Sequence, residues 1–130
     1  MIEIVLADDH NVARAEIRSL LEDEAEFSVV GEASNGDEAV EITRKLKPYL
    51  LISDLKMPYL DGVGVIEQVK QLSPDTRIII LSMYGDPSHV DAAFKAGARG
   101  YVLKKYCVDE LVEAIWTVLS GKTYRGSMLL

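Results

Sequence analysis

One cysteine, Cys107, carries all the thiol chemistry in a chain of 130 residues. A single thiol excludes an internal disulfide and any cysteine-built metal site, and it fits a reducing, cytoplasmic setting. No apolar run approaches the ~20 residues of a membrane span, so no membrane association is expected. Acidic Glu3 sits where a signal peptide would be basic, so no secretory leader is expected either. Positive charge is also short. The chain has 14 Lys+Arg against 21 Asp+Glu, for a net charge of -7. The imbalance is local: residues 1–50 hold 12 acids and 5 bases, while residues 51–130 hold 9 of each. Such a surface repels nucleic-acid phosphates, which argues against direct DNA binding by this chain, and it keeps a small protein soluble. Repeats, low-complexity stretches and linkers are absent, and the length is that of one ordinary domain.

What the chain does contain is a regular alternation of strand and helix patterns. IEIVLA (2–7) precedes a helical stretch at about 11–24, with Ala13, Ile17, Leu20 and Leu21 on one face. FSVVGEA (27–33) reads as a short second strand. Asn35-Gly36 then turns into a helix near 37–46, with Ala39, Ile42 and Leu46 inward and Pro48 beyond its end. YLLIS (49–53) and RIIIL (77–81) are nearly all apolar, as central strands covered on both faces are. Asp61-Gly62 opens a third helix bearing Val65, Ile66 and Val69. Asp86-Pro87, an N-cap followed by proline at the first helical position, opens a fourth that stops at Gly97. A fifth strand at 100–103 and a fifth helix at 108–120 complete the series. Five such units imply an α/β fold, a doubly wound five-stranded parallel sheet with helices on both faces. Ligands of such sheets bind at the carboxyl ends of the strands.

Polar residues stand where the apolar runs stop: Asp8 and Asp9 after the first strand, Asp54 after the third, Ser82 after the fourth and Lys104 after the fifth. One sheet edge would therefore gather three carboxylates, a hydroxyl and an ammonium. Two unit charges ~4 Å apart repel by ~4 kcal/mol at an effective dielectric near 20, so the carboxylates call for a cation. Oxygen-rich ligation favours Mg2+, with Mn2+ as the alternative. The simpler possibility is that Asp8 or Asp9 caps the first helix, although one aspartate would suffice. Lys104 supplies a point charge and Ser82 a rotatable hydroxyl, both suited to phosphoryl oxygens. A carboxylate beside them can act as a nucleophile toward phosphorus.

LADDHNVAR, ISDLKMPYLDGVGVI, IIILSMYGD and AGARGYVLKK resemble the receiver domain of bacterial two-component response regulators. VVGEASNGDEAV and LVEAIWTVLSGKTY are most similar to its NarL/FixJ-type subgroup. The likeness covers residues 2 to about 121, leaving 122–130 as a tail or the start of a linker. It implies the flavodoxin-like (βα)5 strand order 2-1-3-4-5. It also implies a role for each site residue. Asp54 would be the phosphoacceptor, served by a sensor histidine kinase, a phosphotransfer protein or a small-molecule donor. Asp8, Asp9, Asp54 and the backbone carbonyl of Lys56 would hold Mg2+. Ser82 and Lys104 would contact the phosphoryl group, and Tyr101 would be the aromatic switch residue. The implied protein is a signalling switch rather than a turnover enzyme. Its readout would be the face built by the fourth helix, fifth strand and fifth helix, with a homodimer formed there or through the fifth helix as one form of it. DNA would be reached only through a C-terminal helix-turn-helix domain outside this chain.

Some positions depart from the commonest pattern of that family. Lys56 puts a cation two residues after Asp54, which bears on the lifetime of a phosphoryl group. Lys105 reads as solvated surface, His10 as a surface residue of the first turn, and Cys107 as the N-cap of the fifth helix. Val112, Trp116 and Leu119 form a second apolar stripe on that helix, either a docking surface or the edge of the core. Three other readings are open to test, one of them a degenerate receiver that serves only as an interaction module and that the full set of site residues argues against. A haloacid-dehalogenase-type phosphohydrolase would space its two aspartates differently after the first strand. A flavodoxin-like carrier would need a Ser/Thr/Gly-rich cradle where DDHNVAR is acidic.

Overall fold

A computed structural model describes residues 1–127 and 129. Elements alternate as β1 (Ile2–Ala7), α1 (Asn11–Glu22), β2 (Phe27–Ala33), α2 (Gly36–Leu46), β3 (Leu50–Ser53), α3 (Gly62–Leu72), β4 (Arg77–Ser82), α4 (Pro87–Ala96), β5 (Gly100–Leu103) and α5 (Cys107–Leu119). With a short sixth strand, β6 (Tyr124–Arg125), all the strands are parallel, in the order β2-β1-β3-β4-β5-β6. The first five follow the expected order. The sixth strand is an addition: it lies within the segment 122–130 expected as a tail, and it pairs with β5. Met128 and Leu130 of that segment lie outside the described residues.

Alternation along each strand divides the core in two. Val5, Ala7, Leu51, Ile78, Ile80 and Tyr101 face α2, α3 and α4, whereas Ile4, Leu6, Leu50, Ile52, Ile79 and Val102 face α1 and α5. These side chains are almost wholly removed from water. At about 25 cal/mol per Å² of apolar surface, their burial is the main force holding both helical layers to the sheet. Leu46 is the exception on α2; at the helix end it is 44% exposed.

Three helix starts are capped as the sequence suggests. Side chains of Asn35, Asp61 and Asp86 accept hydrogen bonds from the amides of Glu38, Gly64 and His89. The other two differ. A short 3-10 turn at Lys104–Tyr106 already rotates the chain, so Tyr106 takes the N-cap position of α5 and Cys107 is the first residue of the helix. At α1 the N-cap position is His10, with no side-chain cap, so neither Asp8 nor Asp9 caps that helix. Val112 and Leu119 of the second stripe pack against the core, and Trp116 tilts against Phe27 with ring centroids 5.3 Å apart. The stripe is thus largely the edge of the core. Trp116 stays 41% exposed.

Candidate functional site

Asp8 and Asp54 occupy the first positions past the ends of β1 and β3, and the sheet ladder runs on to them. The Asp8 amide donates to the Ala33 carbonyl (3.0 Å) and the Asp54 amide to the Ala7 carbonyl (2.9 Å). Their backbones are therefore fixed by the same hydrogen bonds that make the sheet, and their side chains emerge together. Gly62, at the start of α3, packs so closely below that a Cβ there would stand 2.8 Å from the Asp54 carbonyl oxygen. Asp54 is 7% exposed and Asp8 1%.

Lys104, one residue past β5, reaches back across the edge. Its Nζ lies 2.9 Å from Asp54 Oδ2 and 2.9 Å from Asp8 Oδ2, with an aligned hydrogen bond to Asp54. Burial alone would lower the affinity of this ammonium for its proton. The hydrogen bonds and charges of Asp54 and Asp8 outweigh that loss, and its pKa lies above the ordinary lysine value. A fixed cation thus links two carboxylates from non-adjacent segments of the chain. The remaining Asp54 oxygen, Oδ1, accepts the amide of Leu55 at 2.7 Å.

The cluster has room for a second cation. Asp8 Oδ2 and Asp9 Oδ1 are buried without an aligned hydrogen-bond partner. Ligand atoms of Asp8, Asp9, His10 and Asp54 all lie within 4.8 Å of one another. Buried carboxylate oxygens with unused lone pairs fit a hard divalent ion, so the residues present suit Mg2+. His10 was expected as bystander surface. Its side chain is 65% exposed, yet Nδ1 faces Asp9 Oδ1 at 3.3 Å and Asp8 Oδ1 at 3.4 Å.

Ser82 is fully buried at the end of β4, and its Oγ accepts the amide of Tyr84 (3.0 Å). Tyr101 is also fully buried, and its hydroxyl donates to the Tyr84 carbonyl. Burial raises the Tyr101 pKa, partly offset by its contact with Ser82. Ser82, Tyr84 and Tyr101 therefore form one connected unit beside the carboxylates. Next to it a cavity of about 320 Å³ is lined by Ser82, Met83, Gly85, Leu103, Lys104 and Lys105. Lys56 lies in the turn after Asp54 with its side chain exposed and its Nζ 6.0 Å from the centre of the Tyr84 ring.

Arg14 is a contributor that periodicity passed over. Its guanidinium holds the Asp8 carbonyl, Asn11 Oδ1 and Glu32 Oε1, tying the β1–α1 turn to β2. Its position one helical turn past the N-cap residue His10 was the available signal, but α1 is amphipathic with or without it.

A parallel sheet whose carboxyl edge carries clustered aspartates clamped by a lysine defines a class. Residues 4–116 match the response regulator receiver domain, and the chain belongs to that family. Among curated relatives, the transcriptional regulatory protein DegU of Brevibacillus brevis is 37% identical over 123 residues, covering 95% of this chain and 52% of that protein. The chain thus spans about half the length of that relative. Among solved structures, the signal receiver domain of the putative response regulator NarL from Mycobacterium tuberculosis is 30% identical. It has a TM-score of 0.89 and covers 93% of this chain and 98% of that one. The isolated REC domain of RcsB from Salmonella enterica serovar Typhimurium, solved in the presence of phosphomimetic BeF3-, is 31% identical. Its TM-score is 0.88, covering 97% and 94% of the two chains. Among the described residues no helix is long and apolar enough to cross a membrane.

Proposed function

We propose that this receiver domain is a phosphorylation-activated switch in which Asp54 accepts a phosphoryl group from a sensor histidine kinase or phosphotransfer protein. The observation that carries the reading is the Lys104 ammonium, 2.9 Å from both Asp8 and Asp54 at the carboxyl edge of the central strands. A carboxylate oxygen of Asp54 attacks phosphorus, the new O–P bond forms as the donor's P–N bond breaks, and the departing imidazole keeps the electron pair and takes up a proton. Lys104 offsets the charge that collects on the phosphoryl oxygens. Asp8, Asp9, Asp54 and the Lys56 carbonyl would hold Mg2+, which when bound supplies further charge neutralisation. Ser82 exchanges the Tyr84 amide for a phosphoryl oxygen, and this frees the Tyr84 segment on which the Tyr101 hydroxyl rests.

Phosphorylation adds about -1.5 to -2 charge. Two charge-assisted hydrogen bonds, from Ser82 and Lys104, contribute a few kcal/mol. Moving a 1:99 equilibrium to 99:1 needs ~5.5 kcal/mol, so full activation draws on a partner bound to the α4–β5–α5 face. The partner would be a second copy or an effector domain in a longer cytoplasmic protein, with transcription as the regulated output and DNA contacted through that domain. Such a chain assists its own phosphorylation and dephosphorylation and does not turn over a substrate.

The test is intact mass after treatment with acetyl phosphate and Mg2+. The expected result is one added phosphoryl group in the wild type and none in Asp54→Ala. Label on the Asp54→Ala variant would overturn the assignment. A folded wild type inert to every donor would point to an interaction module instead.

A further inference from the structure

We propose that His10 is a ligand of the cation site and biases it toward Mn2+ over Mg2+. The inference rests on reading the acidic cluster as a receiver's cation site, and it adds a nitrogen donor to what would otherwise be an all-oxygen set. Two features of the chain carry it.

The first is spacing. In octahedral coordination with bonds near 2.1 Å, neighbouring ligand atoms stand about 3 Å apart. His10 Nδ1 lies 3.3 Å from Asp9 Oδ1 and 3.4 Å from Asp8 Oδ1, within a few tenths of that edge. The second is anchoring. The His10 amide donates to Asp8 Oδ1 at 2.9 Å, so residue 10 is folded back over the carboxylate by its own backbone. His10 also stands at the N-cap position of α1 without using its side chain as a cap. The ring is thus left available to the cluster, beside an Asp9 oxygen that has no aligned partner. Lys104 meanwhile occupies the opposite oxygens, Oδ2 of Asp8 and of Asp54. The oxygens nearest the ring are therefore not the ones the ammonium takes.

Chemistry sets the direction of the bias. Mg2+ prefers oxygen and retains several waters, whereas imidazole suits transition ions. A nitrogen at this corner adds little for Mg2+ and favours Mn2+. The ring's closeness to the two carboxylates is not itself ligation, so the discriminating readout is direct metal–nitrogen bonding.

The probe is Mn2+ alone, added to the intact chain and followed by electron spin-echo envelope modulation for directly bonded nitrogen. Competition with Mg2+ in parallel gives both dissociation constants. Nitrogen modulation is expected in the wild type and its loss in both His10→Ala and His10→Gln. The Mn2+ dissociation constant should rise on the order of tenfold in those variants, with that for Mg2+ changing far less. Absence of nitrogen modulation in the wild type, or equal weakening of both ions in the variants, would overturn the proposal. Asp8→Asn separates the two levels. If it loses both ions while the His10 variants behave as wild type, the cation site stands and His10 is not part of it. A wild type that binds neither ion would remove the site itself and His10's role with it.

Discussion

Asp9 is the one carboxylate of the cluster for which Lys104 provides no contact; the His10 ring stands beside it, with Nδ1 3.3 Å from Oδ1. Without a divalent ion it adds repulsion beside Asp8 and Asp54, of the order of 1 kcal/mol when partly solvated. Asp9→Asn is therefore expected to raise the melting temperature in EDTA by roughly 3–5 °C, in line with about 1 kcal/mol for a domain of this size. The same variant should lose most of the stabilisation that Mg2+ gives the wild type, because ligand binding to the folded state is what produces it. Melting curves with and without Mg2+ check both halves. A variant no more stable in EDTA would mean that Asp9 carries no unfavourable charge. Lys56 gives a second residue-level expectation. Its ammonium lies 6.0 Å from the centre of the Tyr84 ring, two residues along the chain from Asp54, and the expectation is that it hinders water attacking there. Lys56→Asn should shorten the lifetime of phosphorylated Asp54 several-fold, a change of about 1 kcal/mol in barrier. Loss of the phosphoryl mass with time measures it, and an unchanged or longer lifetime would exclude the shielding role.

At the scale of elements, the site depends on how closely α3 begins beneath β3. The Gly62 amide donates to the Leu55 carbonyl at 2.7 Å, and a Cβ at position 62 would stand 2.8 Å from both the Asp54 carbonyl oxygen and Leu55 Cα. Backbone has to move to admit a methyl group there. Gly62→Ala is expected to cost about 1–3 kcal/mol, the usual range for overpacking. It should also slow acetyl-phosphate labelling of Asp54, whereas an equally destabilising change remote from the loop should not. Urea melts paired with labelling rates distinguish these, and a Gly62→Ala protein labelled at the wild-type rate would sever the link between packing and chemistry. Asp61-Gly62 was legible as a helix start because capping is local chemistry. The close approach was not, since it needs the third dimension. Asp8, Asp9, Asp54, Ser82 and Lys104 were legible as strand-end residues because buried parallel strands are continuous apolar runs that stop abruptly. The orientation of His10 was not legible, because a backbone hydrogen bond to Asp8 sets it and leaves no mark on periodicity. Cys107 was misplaced by one residue because a 3-10 turn has no hydrophobic period of its own.

Across the whole molecule, β6 closes the edge of the sheet beside Tyr101. The Gly126 amide donates to the Tyr101 carbonyl (2.8 Å), Arg125 lies over the Phe94 ring of α4, and the buried Glu110 of α5 accepts the Ser127 amide (3.0 Å). A two-residue strand is too short for alternation to reveal it, which is why the segment read as a tail. Glu110 also receives the Tyr124 hydroxyl at 3.4 Å. Burial, then the charges of Glu110 and Glu113, push the Tyr124 pKa up to about 12. Tyr101 is raised by burial, and Lys104 by Asp54 and Asp8 against burial. The sign is the same for all three. Each binds its proton more tightly folded than unfolded, so each contributes stability that is present below the unfolded pKa near 10 and lost as pH rises through the folded value. The domain is therefore expected to weaken from about pH 10 upward, and two of its six tyrosines should ionise later than a free phenol. Absorbance at the phenolate band, recorded beside circular dichroism across pH 9–12, checks this. In Tyr124→Phe the late tyrosinate signal should shrink by one residue and the alkaline loss of structure should become shallower. If all six tyrosines of the wild type ionised together near pH 10 while the sheet stayed intact, the β6 edge would be an open one, without the buried clasp at Glu110.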